Sequence, residues 1–292
     1  MIHVDLFGGI GGFALAARWS GVETVVTCDI SEYANRVMSY HFPRAYHHND
    51  IRTLNKQLLD AKLLNKYGPD WGDKTILTGG FPCQPFSVAG CKRGTSDDRY
   101  LWPEMLRVIT DVRPRWVIAE NVAGLLSMAQ PVRVSEMGAG GDLFAEDSYT
   151  QEEYECLADR ICRDLEDISY KVIPLLIPAC AVGAPHRRDR VWFVAHSDRV
   201  GGGELLDTSP EARARERDEL FTSSFAVPNW QSFPHFSPLC GGNDGVPPEL
   251  AAIPFSGWRK RSVTAIGNAI VPQVAHAIIQ AIQYVEQKIT QK

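Results

Sequence analysis

Cys83 stands in a stretch of sequence that is better suited to presenting a thiol than to burying one. The stretch reads GGFPCQPFSVAG over residues 79–90, with prolines close to the cysteine on both sides and glycines at both ends. The prolines stiffen the turn, whereas the glycines give it hinge freedom. A thiol presented in this way can act as a nucleophile if nearby positive charge or a helix N-terminus raises its thiolate fraction. The alternative, a small buried hydrophobic residue, suits such an irregular turn poorly.

A carboxylate and two arginines occupy comparable positions beside predicted strands. Glu120 and Asn121 follow the apolar run RWVIAE, where they are either a helix N-cap or groups that hydrogen-bond a substrate ring. Arg188 and Arg190 lie at positions i and i+2 of an extended segment, and therefore on one face of it. Their guanidinium groups are permanently charged and rigid, and suit phosphate or carbonyl oxygens. A solvated strand end is, however, the usual interpretation of an isolated pair of arginines.

The amino-terminal stretch DLFGGIGGFA carries the pattern of a nucleotide-binding turn. A Gly-x-Gly-x-x-Ala motif starts at Gly9, between a predicted strand and a predicted helix, where backbone NH groups can approach a ligand. Asp29 ends the next strand and could accept hydrogen bonds from ribose hydroxyls. Asp50, after a predicted third strand, could contact an adenine amino group while Ile51 packs on the ring. The alternatives are turn glycines and helix-capping acids, and this region alone does not separate a nicotinamide cofactor from S-adenosylmethionine.

These residues can meet only if the chain folds into an α/β sheet, which the alternation of apolar runs and helical patterns predicts. Strands are predicted at residues 3–7, 22–28, 74–80, 115–120, 170–179 and 190–196. Helices are predicted at residues 13–20, 31–42, 51–66, 100–111, 154–168 and 272–289. The expected architecture is a Rossmann-like, doubly wound, mostly parallel sheet with helices on both faces. Because ligands bind at the carboxyl ends of such strands, Cys83 and Glu120 are expected at one sheet edge.

Two segments interrupt this alternation. Residues 129–153 are polar and contain glycines, which predicts a surface insertion, and residues 197–262 are rich in glycine, proline and aromatics, which predicts a small irregular domain. The last helix is amphipathic and should dock back on the first domain, so that residues 1–196 and 263–292 form one discontinuous domain. Its apolar stripe consists of Val274, Ile278, Ile282, Val285 and Ile289.

The composition narrows the possible classes of protein. The chain has 292 residues, a hydrophobic fraction of 45% and a net charge of −5, so any nucleic-acid contact requires locally concentrated positive charge. Its seven cysteines form no CxxC pair and its eight histidines no HExxH motif, so neither a disulfide framework nor a zinc site is predicted. We see no apolar run of about eighteen residues and no basic signal-peptide start, and we expect a soluble, cytoplasmic protein.

Taken in order, five motifs resemble those of the cytosine-5 DNA methyltransferases: DLFGGIGGF, GGFPCQPFS, ENV, RRDR and AIGNAIVPQVA. The similarity runs from Asp5 to Ala275, except for the two interrupting segments. Each motif alone is weakly specific, whereas five in order are highly specific. The resemblance implies the class I methyltransferase fold, with residues 197–262 as a small target-recognition domain.

The resemblance also implies a mechanism. The Cys83 thiolate would add to carbon 6 of cytosine and so make carbon 5 nucleophilic, while Glu120 would hold ring nitrogen 3 and the exocyclic amine. Arg190 would contact the base oxygen, and Arg188 a nearby phosphate or the cysteine loop. The residues expected to orient the loop and the base are Pro82 and Asn121.

The implied cofactor is S-adenosyl-L-methionine, released as S-adenosyl-L-homocysteine. The positions that match the cofactor pocket of the family are Phe7, Gly9, Gly11, Asp29, Ile30, Asp50, Ile51, Leu101, Asn268 and Ile270. The implied partner is double-stranded DNA, whose cytosine must be flipped out of the duplex. Residues expected to contact the DNA are Gln84, Ser87, Lys92, Arg93, Arg99, Arg259, Lys260 and Arg261. We expect a monomer from a bacterial or phage-infected cell, with a restriction endonuclease as a candidate partner.

Two departures from the family pattern stand out. His186 replaces a common glutamine, and the recognition segment is short.

Three other functions stay open. A transfer-RNA methyltransferase shares these motifs, although its CFT signature is absent here. A DNA-binding protein without catalysis would not need Cys83, Glu120 and Arg190. A nicotinamide oxidoreductase would rest on the glycine turn alone.

Overall fold

A central sheet flanked by helices forms the body of the protein in the computed structural model. The structure describes residues 1–82, 100–136, 150–198, 261 and 264–290. The strands are β1 (Ile2–Leu6), β2 (Glu23–Cys28), β3 (Tyr46–His48), β4 (Thr75–Gly79), β5 (Trp116–Val122), β6 (Ala129–Glu136), β7 (Thr150–Cys156), β8 (Tyr170–Pro178) and β9 (Asp189–Ser197). The helices are α1 (Gly12–Trp19), α2 (Glu32–His41), α3 (Lys56–Tyr67), α4 (Trp102–Val112), α5 (Leu157–Asp167) and α6 (Pro272–Thr290).

Seven of these strands form one sheet in the order β3-β2-β1-β4-β5-β9-β8. The pairs from β3 to β5 are parallel, and β9 lies antiparallel between β5 and β8. All five residues of β1 and all five of β4 are buried, because helices cover both faces of the sheet. The predicted mostly parallel, doubly wound sheet is therefore confirmed.

The helix starts follow from local capping. Ser31, the predicted N-cap of α2, accepts a hydrogen bond from the backbone NH of Ala34 at 3.3 Å. The single helix predicted over residues 51–66 is wrong, because the chain makes a 3-10 turn at Ile51–Thr53 and then begins α3 at Lys56. Asn55 causes this restart: its backbone is extended, and its side-chain oxygen accepts from Leu58 N at 2.9 Å.

The polar segment at residues 129–153 contains secondary structure that the sequence analysis did not predict. Strands β6 and β7 pair in an antiparallel sheet of their own, with Ala129 opposite Cys156. The helix predicted from residue 154 therefore begins only at Leu157. Apolar and polar residues alternate only briefly here, at Val132, Arg133 and Val134 of β6, and the polar composition of the segment therefore favoured a surface insertion.

The carboxyl-terminal helix α6 docks on the sheet beside α1. Val274, Ile278 and Ile282 are buried in a cluster with Phe13 of α1 and Trp192 of β9. Polar contacts fix the other end of α6, because Glu286 accepts hydrogen bonds from the side chains of Arg115 and Trp116 at 2.6 and 2.7 Å.

One helical segment has a high mean hydropathy, although polar residues such as Asn268, Gln273 and His276 interrupt its apolar run. By length and composition, the helical segment Thr264–Ile289 is long and apolar enough to cross a membrane. The buried positions of α6, however, pack against α1 and the sheet, as in a core helix.

Candidate active site

The glycine turn after β1 is shaped by residues with positive φ angles. Gly9 has a φ of +52° and Gly11 a φ of +90°, and Phe7 adopts the same left-handed region at 56° although it is not a glycine. A Cβ on Gly11 would lie 2.5 Å from the sulfur of Met38, so the close packing of α1 on α2 also requires glycine here. Within the described part of the chain, nothing lies within 4 Å of a Cβ built on Gly9, which leaves space for a ligand to approach the backbone.

Acidic residues at the ends of β2 and β3 face this turn. One carboxylate oxygen of Asp29 accepts a hydrogen bond from Gly9 N and the other from Ser31 N, both at 2.8 Å. Asp29 therefore ties the turn to the start of α2. Asp50 caps the 3-10 turn through its Oδ1, which accepts from Arg52 N at 3.0 Å. These contacts hold both carboxylates at the carboxyl edge of the sheet, and Ile51 is buried beside them.

A cleft of about 710 Å³ opens at this edge of the sheet. Every predicted cofactor position except Gly11 lines it: Phe7, Gly9, Asp29, Ile30, Asp50, Ile51, Leu101, Asn268 and Ile270. Pro82 and Glu120 also line the cleft, so the predicted cofactor and catalytic residues share one cavity. Ile30 is 76% exposed, and a flat apolar ligand would cover it. The volume, the paired acids and this apolar wall fit a nucleoside-type ligand.

Glu120 is the buried acid of the site. It was predicted to follow a strand, but β5 continues through Val122 because Glu120 and Asn121 pair with Trp192 and Val191 of β9. The residue is 7% exposed, and its Oε1 lies 3.0 Å from Nε of Arg190. Burial raises the pKa of Glu120 to about 7, while the charges of Arg190 and Arg188 oppose the rise. Near neutral pH the carboxyl group can therefore either donate or accept a proton.

The residues that lead to Cys83 lie against this acid. The side chain of Asn121 donates a hydrogen bond to the carbonyl of Phe81 at 3.0 Å. A Cβ on Gly80 would lie 3.3 Å from Oε2 of Glu120. Cys83 itself lies outside the described residues, one position beyond Pro82. Its predicted neighbours in the fold are thus in contact, and its nucleophilic role stays a prediction.

The two predicted arginines have different partners. Arg190 pairs with Glu120, whereas Nη2 of Arg188 donates to the backbone carbonyls of Gly267 and Ala269 at 2.7 and 2.8 Å. The roles that the resemblance implies for them toward a base and a phosphate stay predictions.

The structure also places residues in the cleft that the sequence analysis missed. Tyr33 and Ala34 line the cleft from the first turn of α2, a few residues after Asp29. Their closeness to Asp29 in the sequence is the signal that could have identified them. Arg261, predicted to contact DNA, lines the cleft as well. The predicted residues that lie outside the described part of the chain are Cys83, Gln84, Ser87, Lys92, Arg93, Arg99, Arg259 and Lys260.

Together, the strand order, the antiparallel β9 and the glycine turn define a class I methyltransferase fold. Residues 1–138 match the sequence model of the family described as C-5 cytosine-specific DNA methylase.

The relatives found by sequence are bacterial enzymes. The Type II methyltransferase M.DdeI of Desulfomicrobium norvegicum is 26% identical, over 70% of this chain and 42% of its own length. The Type II methyltransferase M.PspPI of Psychrobacter sp. is 30% identical, over 65% of this chain and 38% of its own. This chain thus spans less than half the length of either relative. Among solved structures, the Dnmt2 methyltransferase of S. pombe is 20% identical with a TM-score of 0.49, over 80% of this chain and 58% of its own.

Proposed function

We propose that the protein is a DNA cytosine-5 methyltransferase that uses S-adenosyl-L-methionine. The observation that carries the proposal is Glu120, a buried acid that is ion-paired with Arg190 and lines the same cleft as the glycine turn. In the proposed reaction, negative charge develops on a pyrimidine ring and is later removed. A carboxyl group with a pKa of about 7 suits this reaction, because it can first donate a proton and then take it back. The match of residues 1–138 to the family supports this assignment.

The cleft residues suit the proposed cofactor. Asp29 would accept hydrogen bonds from ribose hydroxyls through its remaining lone pairs, and Asp50 would face the adenine amino group. The exposed side chain of Ile30 and the buried Ile51 would cover the ring. Bound there, the cofactor supplies an electrophilic methyl group.

Cys83 and Glu120 would divide the chemistry on the cytosine. The Cys83 thiolate forms a bond to carbon 6, and the electron pair displaced from the ring double bond makes carbon 5 nucleophilic. Glu120 in its protonated form donates to ring nitrogen 3 and so neutralises the charge that develops there. After carbon 5 has gained its methyl group, a water molecule takes the proton from carbon 5, and the electron pair of that bond re-forms the ring double bond as the bond from carbon 6 to sulfur breaks. Cys83 leaves as the thiolate, and ring nitrogen 3 returns its proton to Glu120. Arg190 keeps the carboxyl group oriented throughout.

The substrate would be duplex DNA with the target cytosine flipped out, because carbon 6 is inaccessible inside the stack. Residues 197–262 would read the target sequence. The two bacterial relatives are Type II methyltransferases, so a cognate restriction endonuclease is the candidate partner. We place the protein in the cytoplasm of a bacterial or phage-infected cell, as a monomer.

The proposal can be tested by mapping cytosine methylation at base resolution on a plasmid carried in cells that express this chain. We expect 5-methylcytosine at one recurring short sequence, and none in cells that express the Cys83→Ser variant. The purified variant should bind the cofactor within a few fold of wild type. An unmethylated plasmid from cells with soluble wild-type protein, or equal methylation by the variant, would refute the assignment.

A further inference from the structure

Arg188 makes a contact that the proposed reaction does not explain. Its Nη2 donates to two backbone carbonyls, of Gly267 and Ala269, at 2.7 and 2.8 Å. These carbonyls flank Asn268, which lines the cleft. The partners lie 79 and 81 positions further along the chain, so the contact joins two distant segments. Hydrogen bonds from a charged donor are stronger than those between neutral groups.

The segment that Arg188 holds forms one wall of the cleft, and its contacts with the other described residues are concentrated at one end. Thr264, Ala265 and Asn268 line the cleft, while Ile266 is 51% exposed and no atom of the described residues lies within 4 Å of a Cβ on Gly267. Residues 264–268 are helical, and the last carbonyls of a helix have no partner within it. A cation at this end both satisfies these carbonyls and complements the helix dipole.

The next residue along this wall shows why its position matters. Ile270 is buried, and its Cγ1 lies 2.6 Å from the position that a Cβ on Gly12 would take. This wall therefore packs directly against the first residue of α1, which follows the glycine turn. A shift of the 267–269 carbonyls would move Asn268 and Ile270 relative to that turn.

Arg188 is itself fixed at the catalytic end of the cleft. Its carbonyl accepts a hydrogen bond from Ala179 N at 3.2 Å, and two residues later Arg190 forms the ion pair with Glu120. The short segment from Arg188 to Arg190 thus contacts both Glu120 and the backbone of residues 267–269 in the cleft wall.

We propose that Arg188 is a positioning residue that fixes Asn268 and the 264–270 wall of the cofactor cleft, and not a contact to a DNA phosphate. The inference rests on the proposed function, since it takes S-adenosylmethionine as the ligand of the cleft. Cofactor affinity should then depend on Arg188 although its side chain acts through the backbone of another segment.

Calorimetric titration of the purified chain with S-adenosylmethionine tests this role, alongside duplex-DNA binding by fluorescence anisotropy. For Arg188→Leu we expect the cofactor Kd to rise at least tenfold and the DNA Kd to stay within twofold. Arg188→Lys should recover most of the cofactor affinity, because one ammonium group can donate to both carbonyls. Arg187→Leu is the matched control and should change neither constant, since the Arg187 side chain is 83% exposed and pairs only with Asp189 among the described residues. Arg188→Gln replaces the leucine variant if that variant does not fold.

A double-mutant cycle separates positioning from a direct contact. If Arg188 acts by placing Asn268, then Arg188→Leu combined with Asn268→Ala should lose no more cofactor affinity than the worse single variant. Additive losses would overturn the role, as would unchanged cofactor affinity with a salt-dependent loss of DNA binding in Arg188→Leu. A wild-type chain that does not bind S-adenosylmethionine would overturn the proposed function itself, whereas equal binding by wild type and Arg188→Leu overturns only the role of Arg188.

Discussion

The buried carboxyl group of Glu120 should make the stability of the protein depend on pH in a way that Glu120→Gln removes. Burial raises the pKa of Glu120 from 4.5 to about 7. A group whose pKa is higher in the folded state favours folding fully below pH 4.5, and this contribution is lost as the pH rises towards 7. Each pKa unit corresponds to about 1.4 kcal/mol, so the free energy of unfolding should fall by about 2–3 kcal/mol between pH 5 and pH 8 from this group alone.

The assay compares wild type with Glu120→Gln by urea denaturation at pH 5 and pH 8. Glutamine keeps the size of the side chain and a carbonyl oxygen for Arg190 but cannot ionise. Other titrating groups, such as Asp5, affect both proteins and cancel in the difference. We expect the free energy of unfolding of Glu120→Gln, relative to that of wild type, to be about 2–3 kcal/mol larger at pH 8 than at pH 5. The variant should be inactive at both values. An equal difference at the two pH values would refute the raised pKa and with it the proton-donating role of Glu120.

Three further predictions concern the turn and the sheet beneath it. Asp29→Ala should raise the Kd for S-adenosylmethionine more than the Kd for duplex DNA, and equal losses in parallel titrations would count against a ribose contact. Gly11→Ala should destabilise the fold by about 1–3 kcal/mol in thermal unfolding, because the new Cβ meets Met38 and the φ is positive; Gly21→Ala, also at positive φ but in open space, is the control that isolates the packing cost. Thr78→Val should cost about 2–4 kcal/mol in urea, since it leaves the side chains of His3 and Asp5 without a shared partner, and a loss below about 1 kcal/mol would contradict this network.

The sequence predicted the cofactor side of the cleft because its signals are local. The glycine turn, Asp29 and Asp50 each follow a strand directly, and a parallel sheet brings the carboxyl ends of its strands to one edge. The contact of Arg188 with Gly267 was not predicted, because its partner lies far along the chain and no spacing rule links the two residues. Glu120 was predicted at a strand end for a related reason. The extension of β5 depends on antiparallel pairing with β9, which arrives about seventy residues later.

A network of buried polar side chains lies inside the sheet, on β1, β2 and β4. The His3 ring contacts the hydroxyls of Thr24 and Thr78 at 2.9 and 2.8 Å, and Thr78 donates to Asp5 at 2.8 Å. Burial lowers the pKa of His3 to about 3 and raises that of Asp5 to about 7, so the histidine is neutral at every pH at which the carboxyl group ionises.

This series of hydrogen-bonded side chains therefore places no permanent charge beneath the glycine turn. The same exclusion of water that raises the pKa of Asp5 and Glu120 also strengthens the ion pair of Glu120 with Arg190, because charges are poorly screened there. Glu120 is therefore held in place most firmly when it is ionised, and it accepts a proton readily because burial opposes that ionisation. A carboxyl group balanced between these two effects can exchange a proton with a bound base at neutral pH without leaving Arg190.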